Sequence, residues 1–162
     1  MKRRRFLQIV AAAVATPGMV SAAAEWRGRA LGAEAAIALH GSKASSATTE
    51  AQLAELHAMG VAARYYALDL ADGEAISPLA RRIAAELGEI DIMVNNAGIQ
   101  RRAPFAEFSV TDWDDVIATN LSSAFYVSRF IAPGMIARGS GKIINIASVQ
   151  SALARQTIAP YS

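Results

Sequence analysis

Ser148 and Tyr161 stand 13 positions apart in NIASVQSALARQTIAPYS, and Asn120 precedes Ser148 by 28. Asn95-Asn96-Ala97-Gly98 begins 25 positions before Asn120, and Asp69-Leu70 lies earlier still. These are hydroxyl, phenol, amide and carboxyl groups, the types that orient a polar ligand and exchange protons with it. Taken singly, each also has an ordinary structural use: Asp69 as a turn former, the Asn pair as a loop, Ser148 as a cap, Asn120 as a solvated helix residue. Composition excludes other chemistries. The chain has no cysteine, which removes disulfides, thiolate nucleophiles and sulfur-ligated zinc together. His40 and His57 are the only histidines; they are expected to be solvated or half-buried, and no metal site is expected.

The elements that must hold these residues follow from the apolar pattern. Thr48-Thr49-Glu50 can cap a helix with Leu53, Leu56 and Met59 on one face and Gly60 at its end. Val61 to Leu70 reads as a strand and Asp72-Gly73 as a turn. Ile76, Leu79, Ile83 and Leu87 recur at helical spacing until Gly88. Ile90 to Val94 is an apolar strand that runs into the Asn95 loop. Thr111 to Ala137 is a helix with a break expected near Pro133-Gly134, and Lys142 to Ser148 is a further strand. Ala35 to Leu39, an apolar run between glycines, could be a buried strand. Apolar strands separated by helices require right-handed crossovers and hence a parallel sheet covered on both faces, a doubly wound α/β arrangement. Ligands of such sheets sit outside the carboxyl ends of the strands. Asp69, Leu70, the Asn95 to Gly98 loop and Ser148 all fall there.

With 162 residues, 53% hydrophobic and 19% charged, the chain has material for one globular core. Its net charge is +2, and its basic points, Lys2-Arg3-Arg4-Arg5, Arg81-Arg82 and Arg101-Arg102, are scattered. They do not form a nucleic-acid stripe, so no nucleic-acid partner is expected. The start, MKRRRFLQIVAAAVATPGMVSAAAEW, has a basic head, an apolar middle from Phe6 to Ala15, a breaker at Pro17-Gly18 and small residues at Ser21 to Ala24. That is the order of an export leader over residues 1–24, with cleavage expected near Ala24; Arg3-Arg4-Arg5-Phe6-Leu7 resembles a twin-arginine signal. The other reading of the same residues is an Ala-rich helix of the folded domain. The apolar run is about ten residues where a spanning helix needs roughly twenty, so no membrane anchor is expected.

The joint spacing of NNAG, Asn120, Ser148 and Tyr161 resembles the short-chain dehydrogenase/reductase family over residues 42–162. NNAGIQRRAPFAEF, TNLSSAF and SVQSALARQTIAPYS are most similar to its gluconate 5-dehydrogenases, then to its 3-oxoacyl-carrier-protein reductases and 3-hydroxybutyrate dehydrogenases. The resemblance implies a Rossmann-like fold, NAD or NADP as cofactor and a small-molecule secondary alcohol or ketone as substrate. Carried over by position, it puts Asp69 and Leu70 beside the adenine and Asn95, Ala97 and Gly98 against the adenosine ribose. It has Ser148 hydrogen-bond the substrate oxygen, Tyr161 exchange a proton with that oxygen, and Asn120 hold a water of the proton relay. It also implies a homo-oligomer through the Thr111 to Ala137 helix.

Two features depart from that family. Its T-G-x-x-x-G-x-G motif lets the backbone approach a pyrophosphate at a helix N-terminus; here Thr16-Pro17-Gly18 is the nearest candidate, and Pro17 has no N–H. Its lysine four residues beyond the tyrosine would fall past Ser162. Without such a lysine an ordinary phenol, with a pKa of about 10, is phenolate to roughly one part in a thousand at pH 7, a handicap of about 4 kcal/mol for alcohol oxidation. The expectation is therefore a partial sheet without the Gly-rich first βα unit and the C-terminal strands, impaired in activity. Ile9 to Thr16 is the candidate for the vacant first strand, though its alanines suit a strand poorly. Residues 1–41 resemble the leader and first strand of exported FAD:protein FMN transferases. That adds the expectation of a fusion product without activity of its own; the Thr111 to Ala137 helix, a common subunit interface in the dehydrogenase family, adds that of a non-catalytic interaction module. The expected segments are a leader at 1–24, a strand-containing junction at 25–41 and a partial dinucleotide-binding domain at 42–162. The cytoplasm is the expected compartment, the periplasm if the leader operates. Ser42-Lys43 hints at phosphate binding.

Overall fold

The computed structural model describes residues 7–12, 36–153 and 155–162, the first of these spans by its backbone alone. Five strands form one sheet: β1 (Leu7–Ala12), β2 (Ala36–Gly41), β3 (Ala62–Ala67), β4 (Ile92–Asn96) and β5 (Lys142–Asn145). Their order across the sheet is β3-β2-β1-β4-β5, and every pairing is parallel. Val10 of β1 stands between Leu39 of β2 and Val94 of β4. The central slot is thus filled by LQIVAA, two residues earlier than the Ile9 to Thr16 segment and within the stretch read as the apolar middle of a leader. Two parallel neighbours hold an Ala-rich strand that local propensity alone would not. The Arg3-Arg4-Arg5 signal, the Thr16-Pro17-Gly18 candidate and the expected cleavage near Ala24 lie outside the described residues.

The helices start where their caps dictate. Ser46 Oγ accepts the Thr49 N–H at 3.2 Å ahead of α1 (Ala47–Ala58), and Asp72 accepts the Glu74 and Ala75 N–H groups at 3.2 Å ahead of α2 (Gly73–Leu87). Ser109 Oγ accepts the Asp112 N–H at 3.0 Å at the start of α3 (Val110–Ile117). A single π turn, Ala118–Ser122, joins α3 to α4 (Ser123–Arg138). The break expected near Pro133-Gly134 is not there. Val127, Ile131 and Met135 are buried on either side of Pro133, and this packing outweighs the one helical hydrogen bond that the proline removes. The departure from α geometry falls at Asn120 instead.

The sheet is covered on both faces. Every residue of β2 is buried, and alternation sends Ala36 and Ala38 to the side of α2 and α4, Ile37 and Leu39 to the side of α1. Leu56 and Met93 are at the centres of the two layers; burying such a side chain stabilises the fold by about 1.5–3 kcal/mol. β5 differs, being exposed along its whole length. Among the described residues no helix is long and apolar enough to cross a membrane, and no group of His, Cys, Asp and Glu could hold a metal ion.

Candidate active site

The carboxyl ends of β2, β3 and β4 open into one crevice. A cleft of about 560 Å³ runs from Gly41, Ser42 and Lys43 past the start of α1 to Gly98 and Ile99. A second, of about 200 Å³, shares His40, Gly41, Ser42 and Ile99 with it and reaches Asp69, Leu70, Ala97, Arg101, Asp115 and Thr119. Four residues singled out in the sequence, Asp69, Leu70, Ala97 and Gly98, are therefore brought together. Asp69 Oδ1 accepts the Ala71 N–H at 3.0 Å, which aims the carboxyl group from its own turn. A Cβ at Gly98 would meet nothing closer than Asn120 Oδ1 at 3.7 Å, an ordinary contact. The protein itself therefore leaves room for a side chain there. Gly41 is different: a Cβ would strike the hydroxyl of Tyr65, which donates to the Lys43 carbonyl at 2.6 Å and fixes the turn after β2.

Asn120 sits on the π turn with both ends of its amide engaged. Oδ1 accepts the Ile99 N–H at 2.8 Å and Nδ2 donates to the Ile99 carbonyl at 3.0 Å. The extra residue of the π turn turns the side chain toward the loop beyond Gly98, and π turns gather at functional sites. Asn120 is thus not the solvated helix residue of the ordinary reading, and its geometry is that of a positioning residue for the crevice wall. Asn95 is not the loop residue that was expected. It lies inside β4, because the ladder to β1 continues through Ala11–Asn95 and Ala12–Asn96. Its buried Nδ2 donates to Asn145 Oδ1 at 2.7 Å and to Ser128 Oγ at 3.2 Å, tying β4, β5 and α4 together.

β5 ends at Asn145 rather than Ser148. Ser148 follows three residues later and caps a short turn, Val149–Ser151, its Oγ accepting the Gln150 N–H at 3.2 Å. Tyr161 closes another short turn, Ala159–Tyr161, that packs on α3. Two neighbours hold that turn. Ile158 is wholly buried, and the Thr157 carbonyl accepts the Ala103 N–H at 3.1 Å, linking the last stretch to the loop after Gly98. Among the described residues no hydrogen bond joins Asn120, Ser148 and Tyr161.

Sequence reasoning missed two residues of the crevice. His40 is 5% exposed, not solvated or half-buried. Its Nε2 pairs with the Leu68 carbonyl at 2.8 Å, so Nε2 carries the proton of the neutral ring and Nδ1 faces inward without a partner among the described residues. Burial holds its pKa below the ordinary value, against the smaller opposing effects of the Leu68 carbonyl and Asp69. The available signal was its place at the end of an apolar run, just before Gly41. Arg101, read as part of a scattered basic point, lines the crevice and pairs with Asp112 at 3.2 Å and Asp115 at 3.9 Å.

The comparisons agree with this geometry. Gluconate 5-dehydrogenase of Gluconobacter oxydans (strain 621H) is 45% identical over 128 residues, which are 79% of this chain and 49% of that protein. 5-Keto-D-gluconate 5-reductase of Escherichia coli (strain K12) is 42% identical over 113 residues, 70% of this chain and 44% of the relative. The chain spans about half the length of these curated relatives. Among solved structures, a protein designated a candidate gluconate dehydrogenase from Agrobacterium tumefaciens superposes with a TM-score of 0.70 at 40% identity, over 77% of this chain and 49% of its own. Residues 12–162 match the model of the family described as short chain dehydrogenase, and with the parallel sheet and the strand-end crevice in place the chain belongs to that family.

Proposed function

We propose that the crevice binds NADP and that the chain serves an oxidoreductase interconverting a secondary alcohol and a ketone on a sugar acid of the gluconate type. The observation that carries this is the convergence of Asp69, Leu70, Ala97 and Gly98 on one crevice at the carboxyl ends of parallel strands, the place where such sheets bind dinucleotides. The names of the relatives support the substrate class. Asp69 and Leu70 would border the adenine and Gly98 the ribose. Lys43, beside Ser42, is the one cation lining the larger cleft, and no carboxylate lines it among the described residues; that charge pattern suits a 2′-phosphate better than a free 2′-hydroxyl. No Gly-rich loop of the family type occurs in the sequence to receive the pyrophosphate, so affinity is expected to be weak.

A bound nicotinamide supplies or takes up the hydride. The remaining work falls to this chain: Tyr161 exchanges a proton with the substrate oxygen, and Ser148 donates to that oxygen and orients it. Asn120 acts through Ile99, holding the wall of the crevice. Exposed Trp113, Leu121 and Phe125 along α3, the π turn and α4 support pairing of like chains through this helix. In this reading Leu7–Ala12 stays in the protein as β1 and the reaction belongs to the cytoplasm.

The test is slow oxidation of NADPH by the purified chain with 5-keto-D-gluconate, followed by nicotinamide absorbance, with Tyr161→Phe as control. The expected result is ketone-dependent turnover that the variant loses while NADPH binding persists. Binding without any turnover contradicts the oxidoreductase reading, and a preference for NADH contradicts the role given to Lys43.

A further inference from the structure

Leu68, the first residue after β3, is held at both of its backbone groups by the end of β2. Its N–H donates to the Gly41 carbonyl at 3.0 Å, and its carbonyl accepts from His40 Nε2 at 2.8 Å. The turn that starts here carries Asp69, Leu70 and Ala71 into the smaller cleft. It ends on Asp72, whose N–H donates to the Asp69 carbonyl at 3.1 Å and whose side chain caps α2. His40 is thus the pin between the sheet and one wall of the crevice. In register it stands between Ala11 of β1 and Tyr66 of β3, and it borders a cavity of about 30 Å³ whose other walls, from Leu70 and Ile76 to Val127 and Ile131, are apolar. A water there would lack the two or more polar partners that a buried water needs.

The pin works only as a neutral ring. With the Nε2 proton given to Leu68, a second proton would have to sit on Nδ1, which is buried and has no partner among the described residues. Such a charged donor, unpaired in an apolar setting, costs far more than the one hydrogen bond that keeps the ring in place. Charged and titratable groups about the ring are few. Lys43 follows β2, Arg101 and Asp115 pair at 3.9 Å in the smaller cleft, and Tyr66 donates its hydroxyl to Glu86 at 2.9 Å with Arg82 over its ring. The lining from α2 and α4 is apolar. That leaves Asp69, whose charge favours a protonated ring and whose Oδ1 already accepts a proton donor of its own turn, the Ala71 N–H.

We propose that His40 is an acid-operated latch on the crevice: neutral, it holds the Leu68 to Asp72 turn closed, and protonated, it releases Leu68 and turns to Asp69, so that the wall formed by Asp69 and Leu70 opens. A proton from solvent is the one reactant, and it comes to rest on Nδ1. A ligand gripped by Asp69 and Leu70 is let go as pH falls. The inference goes beyond the reaction proposed above and needs only the crevice.

The test follows the full chain by NMR from about pH 8 to about pH 5, reading the His40 ring nitrogens and amide protection factors. At the upper end the ring should be the Nε2–H tautomer. It should then take up one proton with a midpoint below about 6.5, since burial opposes the charge. Over the same step the protection factors of Leu68, Ala71 and Asp72 should fall about tenfold or more, while Val94, inside β4, keeps its own. His40→Gln, which can still donate to Leu68, should abolish the step, Asp69→Asn should lower its midpoint, and His57→Gln should leave it unchanged. The ring titration and exchange pattern of the unaltered chain decide the matter if a variant does not fold. No titration of His40 in that range, titration without loss of protection in the turn, or unfolding of the whole chain without a local step overturns the proposal. Failure of NADPH to bind at any pH bears on the function reading alone.

Discussion

Asn120 holds both backbone groups of Ile99, its Oδ1 2.8 Å from the amide nitrogen and its Nδ2 3.0 Å from the carbonyl oxygen. A side chain on a π turn thereby acts as the pairing partner of a loop that has left the sheet. Asn120→Ala leaves both groups of Ile99 without their partners, at a cost of about 1–3 kcal/mol. Urea unfolding should show that loss, and the Ile99 amide should exchange faster than in the parent chain. An unchanged exchange rate at Ile99 would mean the clamp is not formed in solution.

His40 sets an acid limit on stability. Burial keeps its folded pKa below the ordinary value of about 6.5. The unfolded chain therefore takes up a proton as pH falls through about 6.5 that the folded chain does not, and stability drops until the folded imidazole itself titrates. Urea midpoints measured from neutral to mildly acid pH should fall in the parent and flatten in His40→Gln, which keeps a donor for Leu68. Equal slopes in the two proteins would place the acid sensitivity elsewhere.

Thr157 has φ 68°, the one positive value among the described non-glycine residues. The left-handed region costs a β-branched residue about 1–2 kcal/mol and asparagine less. Thr157→Asn should raise stability by about 1 kcal/mol, with the Ala103 amide still protected. Ile158→Ala should lower stability by about 2–5 kcal/mol and loosen the turn that carries Tyr161. Thermal unfolding distinguishes the two directions, and a destabilised Thr157→Asn would contradict the account of this segment.

Residues 7–12 form the strand between β2 and β4. A chain without residues 1–24, the product that cleavage near Ala24 would give, leaves backbone groups of β2 and β4 buried and unpaired. Such a chain is expected to lose its cooperative unfolding transition by circular dichroism. Retention of the parent transition would show that the segment is dispensable.

Much of this architecture was legible in the sequence because it is set locally. Ile76, Leu79, Ile83 and Leu87 mark α2 by period alone, and Asp72 and Gly88 bound it. The spacing from NNAG to Tyr161 located the family, and Asp69, Leu70, Ala97 and Gly98 do converge. What was less legible depends on distant partners. β1 is a strand because two neighbours pair with it, and it begins two residues ahead of the Ile9 to Thr16 segment that the apolar run offered for that slot. Asn95 lies in β4 and not in a loop for the same reason. The π turn has no apolar signature distinct from an α-helix, so the break was sought at Pro133. The burial of His40 depends on a carbonyl 28 residues away, which no local pattern announces.

The central claim is that the strand-end crevice is the dinucleotide site, and mapping amide chemical shifts during an NADPH titration of the full chain tests it most directly. The account predicts saturable shifts at Ser42, Lys43, Asp69, Leu70 and Gly98, weaker with NADH and much reduced in Lys43→Glu. No saturable binding, or shifts gathered at Ile136 and Ile143 in a groove at the opposite end of the sheet, would contradict it.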